Sequence, residues 1–342
     1  MNSARDKKGG GAVNRKNWGF KNKGKRILYA AVLFFILVQP CSGAEDLAQF
    51  PSKPITLIIP WAPGGSTDLS GRKLADLTGK ILGQPMVIEN KPGASGVIGI
   101  NAVAKAAPDG YTIGAMTYSA NVIIPHLRSV PYDTKKDFSF IMQYCEAPMI
   151  FSVLIDSPWK TFKEFVEEAR KNPGKMKYST PGPLGGQHIF MEHVFSLEKV
   201  KVNHIPVGGG TEATRQLLGG HLDGAITPDF VPHIQSGKVR GLAVQPEKRM
   251  KAVPDIPTFL ELGYKVESPN YTGICAPQGL HPVVLKKLFD AFKKAYEDPS
   301  FQEFMAKIYL PTVFRDSESF KEMVFKDFDS QGRVLKELGL IK

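Results

Sequence analysis

The sequence predicts an α/β protein of two lobes joined by two extended crossings. Three observations carry this. Strand and helix signals alternate from Ile55 to Ala115 and restart from Thr161 to Val244, and strand–helix–strand units of that length build parallel sheets with helices on both faces. Between these stretches runs Phe138–Ile155, long, apolar and largely free of helix caps, and Tyr271–Pro277 is extended again, so the chain passes from one lobe to the other and back. Two segments, one in each half, read alike: Ile59-Pro60-Trp61-Ala62-Pro63-Gly64-Gly65-Ser66-Thr67-Asp68 and Ile205-Pro206-Val207-Gly208-Gly209-Gly210-Thr211-Glu212. Each is an apolar strand end, a glycine turn, and a Thr-acid pair that opens a helix.

Taken in order, Ile55–Pro60 is a β-rich apolar run and Thr67–Leu82 has helical spacing. Met86–Glu89 is a short strand, followed by the loop Asn90–Gly96 and a helix ending near Ala107. Pro108-Asp109-Gly110 turns the chain into the strand Tyr111–Ala115. After the first crossing, Thr161–Lys171 is helical and stops at Asn172-Pro173-Gly174. Lys177–Thr180, Val202–Pro206, Asp223–Thr227 and Gly241–Val244 are strands, with helices starting near Gly186 and Thr211 between them. Three helical stretches, His281–Glu297, Phe301–Lys307 and Ser319–Leu338, finish the chain and return to the first lobe. This is a periplasmic-binding-protein-like fold of type II. Lobe one spans 45–147 plus 270–342 and lobe two spans 148–269.

The first 44 residues stand apart. Nine basic residues (Arg5, Lys7, Lys8, Arg15, Lys16, Lys21, Lys23, Lys25, Arg26) precede the apolar run Ile27–Val38, and Ser42-Gly43-Ala44 offers small residues for a signal peptidase. The run is short for a membrane span, so the segment predicts export with cleavage near Ala44 into the periplasm. Pro40 before Cys41 makes a poor lipobox, which argues against a lipid anchor. The leader also explains the charge of +11: without it 35 basic and 32 acidic residues remain, a net +3, and nothing points to nucleic acid. Cys145 and Cys275 sit in apolar contexts without CxxC spacing and are expected as buried free thiols.

Four loops at strand-to-helix junctions are the candidate ligand site, because ligands of open α/β sheets bind beyond the carboxyl ends of strands, and helix starts aim N–H groups and positive dipole ends at an anion. Loop one supplies Trp61, Ala62, Pro63, Gly64, Gly65, Ser66 and Thr67. Ser66 or Thr67 either caps the helix or offers a hydroxyl to the ligand, and Trp61 either walls the cleft or plugs the core. Asp68 would repel an anion, so it is expected to cap or to face away. Loop two supplies Tyr118, Ser119 and Asn121. Loop three supplies Thr180, Gly185, Gly186, Gln187 and His188, the histidine either touching the ligand or bracing the loop. Loop four supplies Gly210 and Thr211, with Thr211 expected as helix cap. Asp229 beyond the strand Asp223–Thr227 is placed to accept from a ligand hydroxyl or to brace loop three. The expected occupant is a small molecule carrying carboxylates, held without a cofactor.

Enzyme readings find little support. There is no Gly-x-Ser-x-Gly, Walker A, His-Glu-x-x-His or Gly-x-Gly-x-x-Gly pattern. His188 and Glu192 share a helix face near His193, but no second cluster would complete a metal site.

Seven motifs in order resemble one family from about Phe50 to the C-terminus. They are Pro51-Ser52-Lys53-Pro54-Ile55, Pro60-x-x-Pro63-Gly64-Gly65-x-x-Asp68, Val87-x-Glu89-Asn90-Lys91-Pro92-Gly93-Ala94-x-Gly96, Ala106-x-Pro108-Asp109-Gly110-Tyr111-Thr112, Pro131-Tyr132-Asp133 with Asp137-Phe138, Leu217-Leu218-Gly219-Gly220-His221-Leu222-Asp223, and Pro254-Asp255-Ile256-Pro257-Thr258. The chain is identified as resembling the tripartite tricarboxylate transporter receptors, the Bug proteins. The resemblance implies an exported receptor of two Rossmann-like lobes that close on a carboxylated ligand and deliver it, as a monomer, to a permease with a large and a small subunit. It implies a carboxylate held by Pro60–Asp68 and by counterparts near Ser119 and Gly186–His188, partly through water. The chain departs from the family at Val207-Gly208, where many members have Tyr-Lys, and at Gly186-Gln187, where many have Gly-Ser or Ser-Ser. The ligand stays open among di- and tricarboxylates, aromatic acids, acidic amino acids and nicotinate.

Overall fold

The computed structural model describes residues 47, 49–266, 269–337 and 339–341; the expected export signal, with Cys41 and Ala44, lies outside them. From Leu47 onward the chain forms one compact unit. No described helix is long and apolar enough to cross a membrane.

The strand β1 (Ile55–Ile59) leads into helix α1 (Ser66–Leu82), then β2 (Met86–Asn90), α2 (Val97–Ala104), β3 (Thr112–Thr117) and the short α3 (Ile124–Leu127). The first crossing is two strands, β4 (Phe138–Glu146) and β5 (Ile150–Leu154). There follow α4 (Phe162–Lys171), β6 (Lys177–Ser179), α5 (Gly186–Leu197), β7 (Asn203–His204), α6 (Gly210–Leu218), β8 (Gly224–Thr227), α7 (Val231–Gln235) and β9 (Val239–Val244). The return crossing is β10 (Tyr271–Pro277), and α8 (Pro282–Glu297), α9 (Pro299–Lys307), β11 (Thr312–Arg315) and α10 (Ser317–Glu337) complete the chain.

Two sheets result, ordered β11-β4-β10-β3-β1-β2 and β7-β6-β8-β5-β9. The expectation of parallel sheets needs correction, because both are mixed. β1 is parallel to β2 and β3, and β6 is parallel to β7 and β8. β10 is antiparallel to β3 and β4, and β5 is antiparallel to β8 and β9. The reversed strands are the ones that arrive from the other sheet, without the crossover helix that parallel neighbours need, together with the edge strand β11 beside β4.

Helices cover both faces of each sheet, and the strand pattern explains why. Ile55, Leu57 and Ile59 of β1 pack under Leu74, Leu288, Phe292 and Phe301 of α1, α8 and α9. Ile58 faces the other way, toward Val97 and Ile100 of α2 and Phe320 and Val324 of α10. Burial on both faces is what a central strand of a covered sheet requires. In the second sheet, Phe151 and Val153 face α4 and α5, whereas Ile150 faces Ala213, Leu217 and Val231. A reciprocal capping box between Thr161 and Glu164 starts α4. Cys145 and Cys275 are buried free thiols, as expected, and burial pushes Cys145 up to about 12.

Phe151 is fully buried, with ring centroids 5.3 Å from Phe162 and 4.9 Å from Phe165. Phe151→Ala should therefore cost about 3–5 kcal/mol, read as a shift of the urea unfolding midpoint at unchanged slope. A near-zero shift would mean that this aromatic cluster does not hold the second sheet to its helices.

Candidate functional site

A cavity of about 50 Å³, measured as room for the centre of a water molecule, lies where the helix starts of both sheets meet. Its floor is made by the crossings, through Ala147, Met149, Asn270, Tyr271 and Thr272. Its walls come from the four loops.

Loop one joins β1 to α1. Gly64 has a φ of +87°, a left-handed turn that favours glycine. Its N–H donates to Asp68 Oδ2 at 2.9 Å. Asp68 is 2% exposed and faces away from the cleft, one of the two expected readings. It also accepts from Arg72 Nε at 2.9 Å and from Asn90 Nδ2 at 2.8 Å, and Asn90 Nδ2 reaches Trp61 O as well. Burial alone would raise the pKa of Asp68, but the hydrogen bonds from Arg72, Gly64 and Asn90 outweigh it and hold the carboxylate ionised. Gly65 caps α1 with no side-chain help, and Ser66, Thr67, Ala62 and Trp61 all face the cavity.

Loop two follows β3. Ser119 lines the cavity; its Oγ accepts from Gly186 N–H at 3.0 Å and donates to Gln187 Oε1 at 3.4 Å. Tyr118 and Asn121 do not line it, contrary to expectation. Tyr118 is fully buried and packs edge-on against Tyr271 with centroids 5.6 Å apart. Asn121 turns back, its Oδ1 accepting from Thr117 N–H at 3.2 Å.

In loop three, Pro181 and Gln187 reach the cavity. Thr180, Gly185, Gly186 and His188 stand behind its wall, a second correction. Thr180 Oγ1 donates to Gly182 O at 2.9 Å and sits 3.0 Å from His204 Nε2. His188 Nδ1 accepts from Leu184 N–H at 2.9 Å, and its ring stacks on His204 at 3.8 Å. His188 Nε2 is 3.6 Å from Glu192. His188 therefore braces the loop. Burial, then the neighbouring His188, pushes His204 down to about 4.

Loop four brings Gly209, Gly210 and Thr211 to the cavity. Thr211 does not cap α6; Gly209 does, without a side chain. Thr211 is free to face the cleft, its Oγ1 3.5 Å from where a Cβ on Gly65 would stand. At Gly210 only glycine fits, because a Cβ would lie 2.4 Å from Asp229 Oδ2 and 2.6 Å from Thr227 Oγ1. Pro63 and Gly64 do not line the cavity, and Gly64 lines a neighbouring outer groove instead.

Asp229 completes the site. Its Oδ1 accepts from Ser66 N–H at 3.3 Å, across from one sheet to the other. Burial pushes its pKa up to about 6, against the pull of its hydrogen bonds from Ser66 and Thr227. Among the described lining residues it is the one carboxylate, and none of them is Lys or Arg. Sequence reasoning missed Thr117, Gly209, Pro181, Pro228 and the floor. The floor had a signal in the two extended crossings, which had to run beneath any cleft between the lobes.

The family model described as tripartite tricarboxylate transporter family receptor matches residues 71–340. The UPF0065 protein in gbd 5'region of Cupriavidus necator is 37% identical over 317 residues, covering 92% of this chain and 96% of its own. The solved periplasmic binding protein BugD is 30% identical, with a TM-score of 0.79 over 86% of this chain and 100% of its own. MatC from Rhodopseudomonas palustris, solved with bound malate, is 26% identical, with a TM-score of 0.78 over 84% of this chain and 100% of its own.

The raised pKa of Asp229 has a definite sign. The folded protein binds this proton more tightly than the unfolded chain, so the group weakens the fold above about pH 6 and is without effect well below 3.8. Asp229→Asn, which keeps an acceptor for Ser66 N–H, should raise the thermal midpoint near neutral pH, and the gain should vanish on acidification. An equal shift at both ends of that range would assign the effect to packing instead.

Proposed function

The chain belongs to the tripartite tricarboxylate transporter receptor family, a family of periplasmic solute-binding receptors rather than enzymes, and from that premise we propose that it captures a carboxylated small molecule and delivers it to a membrane permease with a large and a small subunit. The observation that carries this is the convergence of two helix starts, Gly65-Ser66 of α1 and Gly209-Gly210 of α6, on one cavity, to which the first turn of α5 adds Gln187. Backbone N–H groups and helix dipoles can receive an anion there without a basic side chain. The malate in MatC supports a carboxylated ligand.

In this reading, lobe one (45–147 plus 270–342) and lobe two (148–269) close on the solute about the crossings. The protein is exported, cleaved near Ala44 without a lipid anchor at Cys41, and acts as a monomer with no nucleic-acid partner. Mass spectrometry of the solute released from natively purified protein tests the ligand class. Release of a compound without a carboxylate would refute it.

Gly65 has a φ of −81°, so its role is room rather than the backbone freedom the sequence suggested. The methyl groups of a valine there would enter the cleft beside Thr211 Oγ1. Gly65→Val should lose about 2 kcal/mol of binding, roughly 30-fold, by calorimetry with the identified solute. Unchanged affinity in a folded variant would remove loop one from the site.

Because both sheets supply anion-receiving loops, the bound form gains contacts to both, and solute should shift the population toward the closed lobes. Small-angle scattering should show a smaller radius of gyration at saturation. A constant radius would count against closure.

A further inference from the structure

A cleft that receives anions carries, as its one charged side chain among the described lining residues, a carboxylate. Asp229 is half-buried between the cavity and an outer groove. Its Oδ1 holds the N–H of Ser66, within the first turn of α1, at 3.3 Å. Its Oδ2 is 3.9 Å from the Cβ position of Gly65 and 2.4 Å from that of Gly210, which places it between the starts of α1 and α6. A solute carboxylate received by those same N–H groups would lie within a few ångströms of Asp229. Two carboxylates sharing one site cannot both stay ionised without a cation or a proton between them. No Lys or Arg is among the described lining residues to serve as that cation, and each helix start offers only about half a positive charge. On the cavity side of Asp229, an ammonium carried by the solute would supply that charge.

We propose that Asp229 selects the solute class, favouring carboxylates that carry an ammonium on the adjacent carbon and disfavouring those whose carboxylate stands alone. This rests on the reading of the cleft as a carboxylate receptor. An α-ammonium is two bonds from the carboxylate carbon, so one small molecule can place its carboxylate on the α1 and α6 starts and its ammonium on Asp229. A solute lacking the ammonium must displace Asp229 from Ser66 N–H or deliver a proton to it.

The test uses pairs that differ only in the α-ammonium: alanine and propanoate, aspartate and succinate, phenylalanine and 3-phenylpropanoate. Calorimetry on the wild-type protein and on Asp229→Asn gives the affinity ratio within each pair that binds. The wild type should favour the ammonium member by about tenfold or more, and the variant should cut that ratio by about tenfold, chiefly by tightening the plain acid. A ratio that Asp229→Asn leaves unchanged overturns the proposal while the receptor reading stands. Absence of binding by all six solutes to both proteins overturns the proposal, whereas the receptor reading falls only if the natively purified protein releases a solute without a carboxylate.

A second measurement needs no variant. In buffers of different ionisation enthalpy near neutral pH, the plain acid should bind with uptake of a proton and the ammonium member without it. Arg215, His233 and Lys307 line the groove on the outer side of Asp229, Tyr271 shares its cavity, and Asp68 lies behind loop one. Of these, Tyr271 stays protonated, its pKa driven far up by burial and then by Asp327, and Asp68 stays ionised. A proton uptake retained with the plain acid in Asp229→Asn would assign it to His233 and overturn the proposal, as would equal proton counts within each pair.

Discussion

The antiparallel ladder of β4 with β10 ties the crossings together and ends in two hydrogen bonds: Ala147 N–H donates to Asn270 O at 2.9 Å, and Asn270 Nδ2 donates to Ala147 O at 2.6 Å. Most of the architecture follows from this short seam. β4 and β5 are one run of chain that belongs to one sheet before Ala147 and to the other after it, and β10 returns beside β4 in the middle of the first sheet. Because the crossings carry no helix, their strands enter reversed and make both sheets mixed. Because they run side by side, their backbones form the floor of the cavity. Ala147, Pro148 and Met149, all buried, carry the chain from one sheet to the other.

Among its described residues the cavity lining offers helix starts and hydroxyl groups but no Lys or Arg. Asp68, in the first turn of α1, and Asp229, brought by the fold between the starts of α1 and α6, show how the surroundings decide what a carboxylate does. Asp68 is buried against three donors and stays ionised as a strut for loop one. Asp229 is desolvated with fewer donors, and its pKa rises. The strut points away from the cleft and the other points into it, so one is a structural part and the other has a direct bearing on what can bind.

Glycine serves two purposes in these loops, and they separate cleanly. Gly64 adopts a left-handed backbone with open space around it, whereas Gly210 is needed because Asp229 and Thr227 leave no room for a Cβ. Loops two and three show the same division between wall and support. Ser119 and Gln187 meet in the wall, while Asn121, Thr180 and His188 hold the backbone behind it.

The alternation of strands and helices, the two crossings and the four loops were legible in the sequence, because periodicity, glycine turns and capping patterns are local properties of the chain. The four-residue edge strand β11 was not, since it is too short to show a period and owes its place to β4. Nor could local pattern say which loop residues face the cavity. A histidine beside a glycine loop reads the same whether it contacts a solute or stacks on His204, and Thr211 reads as a cap although Gly209 fills that place. Asp229 was visible as a candidate, but its contact with Ser66 joins residues 163 positions apart. Local interactions set what each segment becomes. The direction of a side chain, and the pKa that goes with it, is set by whatever the other sheet brings against it, and only the tertiary structure decides that.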